Sequence, residues 1–96
     1  MKYHFEWNPS KAESNLKKHK VSFEEAAEVF FDPLQVTIPD EEHSNIEERW
    51  ITLGNTKAHQ LRLVVHTYIE FDGDQITIRI ISARPATKHE QRQYEA

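Results

Sequence analysis

His66 and Arg79 carry side chains that can act together on a phosphate group. Arginine presents a planar fork of N–H donors that fits a phosphate, and histidine can move a proton near neutral pH. Each residue lies in a run of mainly apolar residues, the first over 61–71 and the second over 75–83. Asp72-Gly73 between the runs predicts a two-residue hairpin turn. Pairing the strands across that turn places His66 directly opposite Arg79.

The same pairing assigns the side chains of both strands to two faces of a sheet. We expect one face to form the core, and it carries Leu63, Val65, Thr67, Ile69, Ile76, Ile78, Ile80 and Ser82. The other face carries His66 and Arg79, with Tyr68 and Arg62 nearby. It could hold a phosphate, or it could be a solvated face with ordinary cross-strand polar pairs. Spacing alone favours the solvated face, because one side of an antiparallel sheet is commonly polar.

Two further arginines have carboxylates close by in the sequence. Arg84 precedes Pro85 and a predicted helix start, where free backbone amides favour an anion. The alternative for Arg84 is an ion pair with a carboxylate such as Glu90. Glu48 beside Arg49 could act as a base, although a solvated charge run at the start of a strand is the simpler interpretation.

One more strand adds to the polar face. If Ile51 and Leu53 point to the core, alternation puts Glu48 and Trp50 on the face of His66.

Local signals predict the elements that position these side chains. Asn8-Pro9 starts one helix, and the capping box Ser22-Phe23-Glu24-Glu25 starts a second, which Asp32-Pro33 ends. Period-two patterns then predict strands at 34–38, 49–53, 61–71 and 75–83, separated in part by a polar loop over 40–47. A second capping box, Thr87-Lys88-His89-Glu90, starts a short C-terminal helix, and residues 3–7 could form an extra strand. This order predicts an α+β fold with a four-stranded antiparallel sheet.

Composition limits the classes of function. With 96 residues the chain has room for one domain, 1–96, and with no cysteine it has no disulfide or thiolate metal site. The six histidines lack ligand spacing and the two glycines form no phosphate loop, so we expect neither a metal ion nor a cofactor. The N-terminus shows no apolar signal sequence, which favours a cytoplasmic protein.

The net charge of −4 argues, by itself, against a nucleic-acid partner. The acid is concentrated in one half, however. Residues 1–48 hold eleven Asp and Glu against five Lys and Arg, whereas residues 49–96 hold five against seven. The basic residues gather near the last strand and helix, so a local contact with RNA remains compatible with the charge.

Seven stretches of the sequence form a recognisable set. They are Phe5-Glu6-Trp7-Asn8-Pro9-x-Lys11, Asn15-Leu16-x-Lys18-His19-x-Val21-Ser22-Phe23-Glu24-Glu25-Ala26, Phe31-Asp32-Pro33-Leu34, His43-Ser44, Glu47-Glu48-Arg49-Trp50, Val64-Val65-His66-Thr67 and Arg79-Ile80-Ile81-Ser82-Ala83-Arg84-x-Ala86-Thr87-x-x-Glu90-x-x-x-Tyr94. Together they resemble the BrnT family of bacterial type II toxin–antitoxin toxins. The resemblance implies a RelE-like fold and an endoribonuclease that arrests growth. It also implies a BrnA-like ribbon-helix-helix antitoxin, which neutralises the toxin and binds the operator DNA of the pair.

The resemblance also suggests roles for individual residues. Arg49 and Arg84 match basic positions of the family's proposed active face, and Arg79 and His66 are further candidates. The expected mechanism is metal-independent, with His66 or Glu48 as the acid or base and the arginines stabilising charge on the phosphate.

We also expect Lys88 and Arg62 to bind RNA. A non-catalytic module that binds an antitoxin-like partner and modulates repression is the alternative, and the negative charge and the lack of an unambiguous acid–base pair favour it.

Overall fold

The computed structural model describes residues 2–43 and 47–96. The described elements are β1 (Lys2–Glu6), α1 (Pro9–His19), α2 (Phe23–Ala27), a 3₁₀ turn (Glu28–Phe31), β2 (Val36–Pro39), a 3₁₀ turn (Glu41–His43), β3 (Trp50–Asn55), β4 (Leu61–His66), β5 (Ile69–Phe71), β6 (Gln75–Pro85) and α3 (Lys88–Glu95). No helix within these residues is long and apolar enough to cross a membrane.

The strands form one sheet in the order β1-β6-β4-β3-β2, and the short β5 pairs with β6. β1 runs parallel to β6, and the other pairs are antiparallel. We call one side of the sheet the helix face, where Val64, Ile78 and Ile80 pack with Phe23 and Val29 from the α2 region. We call the other side the open face. It carries Ile51, Leu63, Val65 and Ile81, and α3 approaches it through Glu90 and Gln93.

The helix starts lie where the sequence predicts them. The side chain of Asn8 accepts hydrogen bonds from the backbone N–H groups of Ser10 and Lys11, and Ser22 caps α2 through the N–H of Glu25. Thr87 and Glu90 form both halves of the predicted capping box of α3. The α+β class is confirmed. The described residues form six strands where four and a possible extra N-terminal strand were predicted. The extra strand is present as β1, and the predicted 61–71 strand is interrupted after His66, which divides it into β4 and β5.

The predicted register between the last two long strands was wrong. The turn contains three residues, Asp72 to Asp74, so Phe71 pairs with Gln75. Further along, Val65 pairs with Ser82 and His66 pairs with Ile80, which leaves Ile81 as an extra residue, a β-bulge. The three-residue turn and the bulge together shift the partners along β6. Val65 therefore loses its predicted partner, Ile80.

The one-residue shift at the turn moves His66 into the core. His66 is fully buried on the helix face. There the rings of Phe30 and His66 pack edge-on, with 4.7 Å between their centroids. Its Nδ1 donates to the carbonyl oxygen of Thr67 at 2.8 Å, and its Nε2 is hydrogen-bonded to the hydroxyl of Thr52 at 2.7 Å. The Thr52 hydroxyl in turn meets that of Thr37 at 2.8 Å, so a polar chain crosses strands β2, β3 and β4. Burial lowers the pKa of His66 to about 4.

Two polar side chains fasten the helices to the sheet. Asn15 of α1 is buried; its amide nitrogen donates to the carbonyls of Val21 and Ala83, and its oxygen accepts from the N–H of Ala83. Arg62 of β4 donates to the carboxylate of Glu25 at 3.0 Å on the same side of the sheet. The hydrogen bonds of Asn15 and of the partly buried Arg62–Glu25 pair offset the cost of removing these groups from water, and they fix the position of α1 and α2 against β6 and β4.

Candidate active site

A cleft of about 410 Å³ opens on the sheet face opposite the helix pair. Its floor is apolar and its rim is charged. The floor is made by Ile51, Leu63, Val65 and Ile81, and the rim by Asp40, Glu42, His43, Ser82, Arg49, Arg84 and Glu90. Strand alternation explains this arrangement, because β3, β4 and β6 direct every second side chain to the open face. Two of the predicted site residues, Arg49 and Arg84, therefore meet in one concave site.

Arg84 forms a bidentate ion pair with Glu90. Its two terminal nitrogens donate to the two carboxylate oxygens, both at 2.8 Å, and one of them also donates to the carbonyl of Pro85. Of the two interpretations of Arg84, the structure thus shows the ion pair with Glu90. The anion at the start of α3 is the carboxylate of Glu90 itself, which accepts from the N–H of Thr87 at 2.9 Å.

The pair shifts the titration of both partners. The hydrogen bonds from Arg84, with help from the N–H of Thr87, lower the pKa of Glu90 to about 2, and Glu90 raises the pKa of Arg84. The side chain of Glu90 is only 17% exposed, so solvent screens the pair incompletely. Arg84 is 36% exposed, and among the described residues these three bonds leave two of its five N–H donors for a substrate.

We expect Glu90→Gln to lower the free energy of unfolding by about 1–2 kcal/mol at neutral pH, because it removes a charge-assisted hydrogen bond. The pKa of Glu90 is depressed in the folded state, so the contribution of its charge is fully present above about pH 4.5 and is lost as the pH falls towards about 2. The difference between wild type and variant should be constant above that window and shrink within it, as measured by urea unfolding at a series of pH values.

Glu95→Gln is the matched control, because Glu95 lies exposed at the end of α3. Protonation of His66 changes stability equally in all three proteins and cancels in the difference. A gap between wild type and Glu90→Gln that does not depend on pH would contradict a role for the ionised pair.

The structure brings to this cleft a histidine that the sequence analysis placed only in a polar loop. His43 lies at the end of the 3₁₀ turn after β2, and its Nδ1 lies 3.1 Å from both carboxylate oxygens of Asp40. The side chain of Asp40 is largely buried, whereas the ring of His43 is exposed to the cleft. The only sequence signals were an Asp three residues before a His and the presence of His43 in a stretch resembling BrnT toxins.

Glu47 connects two other candidates at the edge of the cleft. Its carboxylate forms an ion pair with Arg79 and lies 3.9 Å from the guanidinium of Arg49. Arg79 alternates with the buried Ile78 and Ile80, so it points to the open side of the sheet, although it does not line the cleft. Glu48 is exposed and lies with Arg49 beside a separate cavity of about 270 Å³.

Three predicted placements need correction or stay open. His66 does not face Arg79, because the three-residue turn makes Ile80 its partner and puts it on the helix face, where it is fully buried. Arg62 is on that same side, paired with Glu25 and outside the cleft, and its RNA contact stays a prediction. Lys88 is the exposed first residue of α3, and its RNA contact stays a prediction.

A hydrogen-bonded cluster holds α3 beside the sheet. The hydroxyl of Tyr94 donates to the carboxylate of Asp32 at 2.5 Å, and the same carboxylate oxygen accepts from the N–H of Asn55. Burial opposes the charged form of Asp32, but these bonds outweigh it and its pKa is lowered. The Asp32 bond raises the pKa of Tyr94. The start of α3, and with it Glu90, is thereby kept at the cleft.

The family model for the BrnT ribonuclease toxin of type II toxin–antitoxin systems matches residues 7–90. The chain belongs to the BrnT family. Its class of activity is therefore that of a ribonuclease toxin, and a type II system implies an antitoxin partner and an RNA substrate. Within residues 2–43 and 47–96, no group of three or more His, Asp or Glu side chains could hold a metal ion.

The fold of the BrnT chain matches a solved structure. The crystal structure of the Brucella abortus ribonuclease toxin, BrnT, superposes with a TM-score of 0.64 at 16% sequence identity, over 92% of this chain and all of that one. At this identity the similarity supports the fold alone. A comparison with curated protein sequences gives no significant match.

Proposed function

We propose that this BrnT toxin cleaves RNA in the open-face cleft, without a metal ion, and so arrests growth. The observation that carries the proposal is that the paired His43 and Asp40 share one cleft with Arg49 and Arg84. A histidine, a carboxylate that orients it and two arginines provide proton transfer and charge stabilisation together.

The 2′-hydroxyl of the RNA is the nucleophile in this mechanism. When Asp40 accepts from Nδ1–H of His43, Nε2 is unprotonated and can take the proton of the 2′-hydroxyl. The 2′-oxygen then bonds to phosphorus, and the bond from phosphorus to the 5′-oxygen breaks. The proton on His43 passes to the leaving 5′-oxygen, which gives a 2′,3′-cyclic phosphate and a 5′-hydroxyl.

The two arginines act on the phosphate. Arg84 is held in place by Glu90 and keeps donors for a phosphate oxygen, and Arg49 lines the same cleft. Negative charge grows on the phosphate oxygens in the transition state, so donors that are already oriented stabilise it more than they stabilise the substrate. Arg79 and Glu47 contribute by positioning the segment that leads to Arg49.

We further propose a RelE-like ancestry for the fold and a BrnA-like ribbon-helix-helix antitoxin as the partner, with operator DNA bound through that antitoxin. A sheet with a helix pair on one face and a C-terminal helix beside its site is compatible with a RelE-like protein. The acidic N-terminal half suits a basic partner. An RNA substrate places the toxin in the cytoplasm.

One observation favours the alternative function of a non-catalytic binding module. Glu90 occupies two donors of Arg84, and the cleft is lined by three carboxylates, Asp40, Glu42 and Glu90, against two arginines. In that case the cleft would bind a basic segment of an antitoxin-like partner.

Induced expression without an antitoxin separates the two functions. We expect growth to stop within minutes and RNA 5′ ends to accumulate that carry a hydroxyl group. The purified toxin should give the same products in EDTA. If folded protein accumulates without harm, and RNA stays intact in cells and in the purified reaction, the protein is a non-catalytic binding module.

A further inference from the structure

A second cavity lies beside the cleft, between α1 and β6. It has a volume of about 340 Å³. From α1 it is lined by Lys11, Lys18 and His19, together with two serines, Ser10 and Ser14. Lys11 and Lys18 are seven residues apart, which is about two helical turns, so both ammonium groups lie along the same side of α1. We call this cavity the α1 groove.

The charge of the α1 groove is opposite in character to that of the cleft. Its lining contains two lysines, a histidine and three serines, with Ser82 as the third, and no carboxylate among the described residues. The neighbouring Lys17 is in an ion pair with Glu13 outside the groove. The cleft, by contrast, holds more carboxylates than arginines. A ligand that carries several phosphates would therefore be attracted mainly by the groove.

The groove and the cleft share two lining residues of β6. Ile81 and Ser82 line both cavities. Ile81 is the extra residue of the β-bulge, and bulges often occur beside active sites, where they turn a strand and redirect its side chains. The position of α1 at this bulge is fixed by Asn15, whose side chain binds both backbone polar groups of Ala83.

We infer that the α1 groove binds the phosphodiester backbone of single-stranded RNA next to the phosphate held in the cleft, through Lys11 and Lys18. The inference rests on the proposed cleavage of RNA in the cleft. The two lysines of the groove supply the electrostatic attraction for phosphates that the cleft lacks. They explain how a protein of net charge −4 holds a polyanion. An acidic peptide fits less well, because it offers the cleft neither a phosphodiester nor the 2′-hydroxyl that the proposed cleavage uses.

The test measures binding of a single-stranded oligonucleotide long enough to span both cavities, with a 2′-O-methyl group on every ribose to prevent cleavage. For Lys11→Gln/Lys18→Gln we expect Kd to rise roughly ten-fold at physiological salt. The slope of log Kd against log salt concentration should fall by about 1.4, since each contact with a phosphate of a single strand contributes about 0.7. The kcat for a dinucleotide substrate, which fills the cleft alone, should stay at the wild-type value.

Lys17→Gln/Lys20→Gln is the matched control, because it removes two positive charges from the same helix region outside the groove. We expect its Kd and salt slope to stay near the wild-type values. If wild type cleaves RNA and the two double variants bind the probe equally, the groove is not an RNA site, although the cleft can still be the active site.

Two other results also overturn the inference. A wild-type protein that neither cleaves RNA nor binds the probe removes the proposed function and the groove's role together. A groove variant that loses binding to poly-glutamate but keeps its affinity for the RNA probe assigns the groove to an acidic peptide.

Discussion

His43→Ala is expected to lower the rate of RNA cleavage by about 10²–10⁴, the usual contribution of a positioned acid or base. The physical reason is the geometry of the Asp40–His43 pair. Asp40 holds Nδ1 at 3.1 Å and is largely buried, so the ring is oriented with Nε2 available to the substrate. The measurement is the single-turnover rate on a labelled RNA, which excludes effects on product release.

His4→Ala is the matched control, because His4 is exposed on β1 and does not line the cleft. Asp40→Asn should retain the fold and lose part of the rate, since an amide can hold the ring in the wrong tautomer. A cleavage rate for His43→Ala within about three-fold of the control, well below the range for a general base, would exclude His43 from the chemistry.

Arg84→Ala is expected to lower the same rate by about 10²–10³, as is typical when one donor to a developing negative charge is removed. The substitution removes a guanidinium from the cleft and leaves the carboxylate of Glu90 without its partner. An unpaired carboxylate near the phosphate repels it. Both effects therefore act in the same direction, and a single variant does not separate them.

The double variant Arg84→Ala/Glu90→Gln separates the two effects. Glutamine at position 90 can still close the capping box with Thr87, so α3 should start where it does now. If Arg84 binds the phosphate, the double variant stays as slow as Arg84→Ala. Recovery of the rate to within about three-fold of Glu90→Gln, well short of the loss typical of a missing donor, would mean that Arg84 only neutralises Glu90 and touches no substrate.

Local signals in the sequence predict the helix starts and the burial pattern of the last strand as far as its bulge. The caps at Asn8, Ser22 and Thr87 involve residues two or three positions apart, so their chemistry is contained in a short stretch. Ile76, Ile78 and Ile80 are buried as expected, because alternation along one strand needs no knowledge of its partner.

The pairing between strands could not be predicted in the same way. Asp72-Gly73 allowed a two-residue turn, but Asp72 and Gly73 both have positive φ in a turn of three residues. The bulge at Ile81 has no distinctive residue type and depends on the packing of whole elements. A shift of one residue moves side chains to the other face, and for this reason His66 was misplaced.

The candidate site was predicted in part. The resemblance to BrnT toxins pointed to Arg49 and Arg84, and both line the cleft. The pairing of Arg84 with Glu90 was one of two alternatives that local sequence left equal. His43 was missed because its partner and its place beside Arg84 arise from a turn after β2 that brings distant segments together.

The chain of hydroxyls that ends at His66 has a direction. Nδ1 of His66 donates to a carbonyl, so the neutral ring can only accept at Nε2, and the hydroxyl of Thr52 must donate to it. Thr52 then accepts from Thr37. With a pKa of about 4, the ring takes up a proton only in acid, and Nε2 then becomes a donor. Both hydroxyls must rotate, and Thr37 turns to the side-chain oxygen of Gln35, 3.4 Å away. One proton in the core thus reverses the polarity of a hydrogen-bond relay that reaches the edge strand β2.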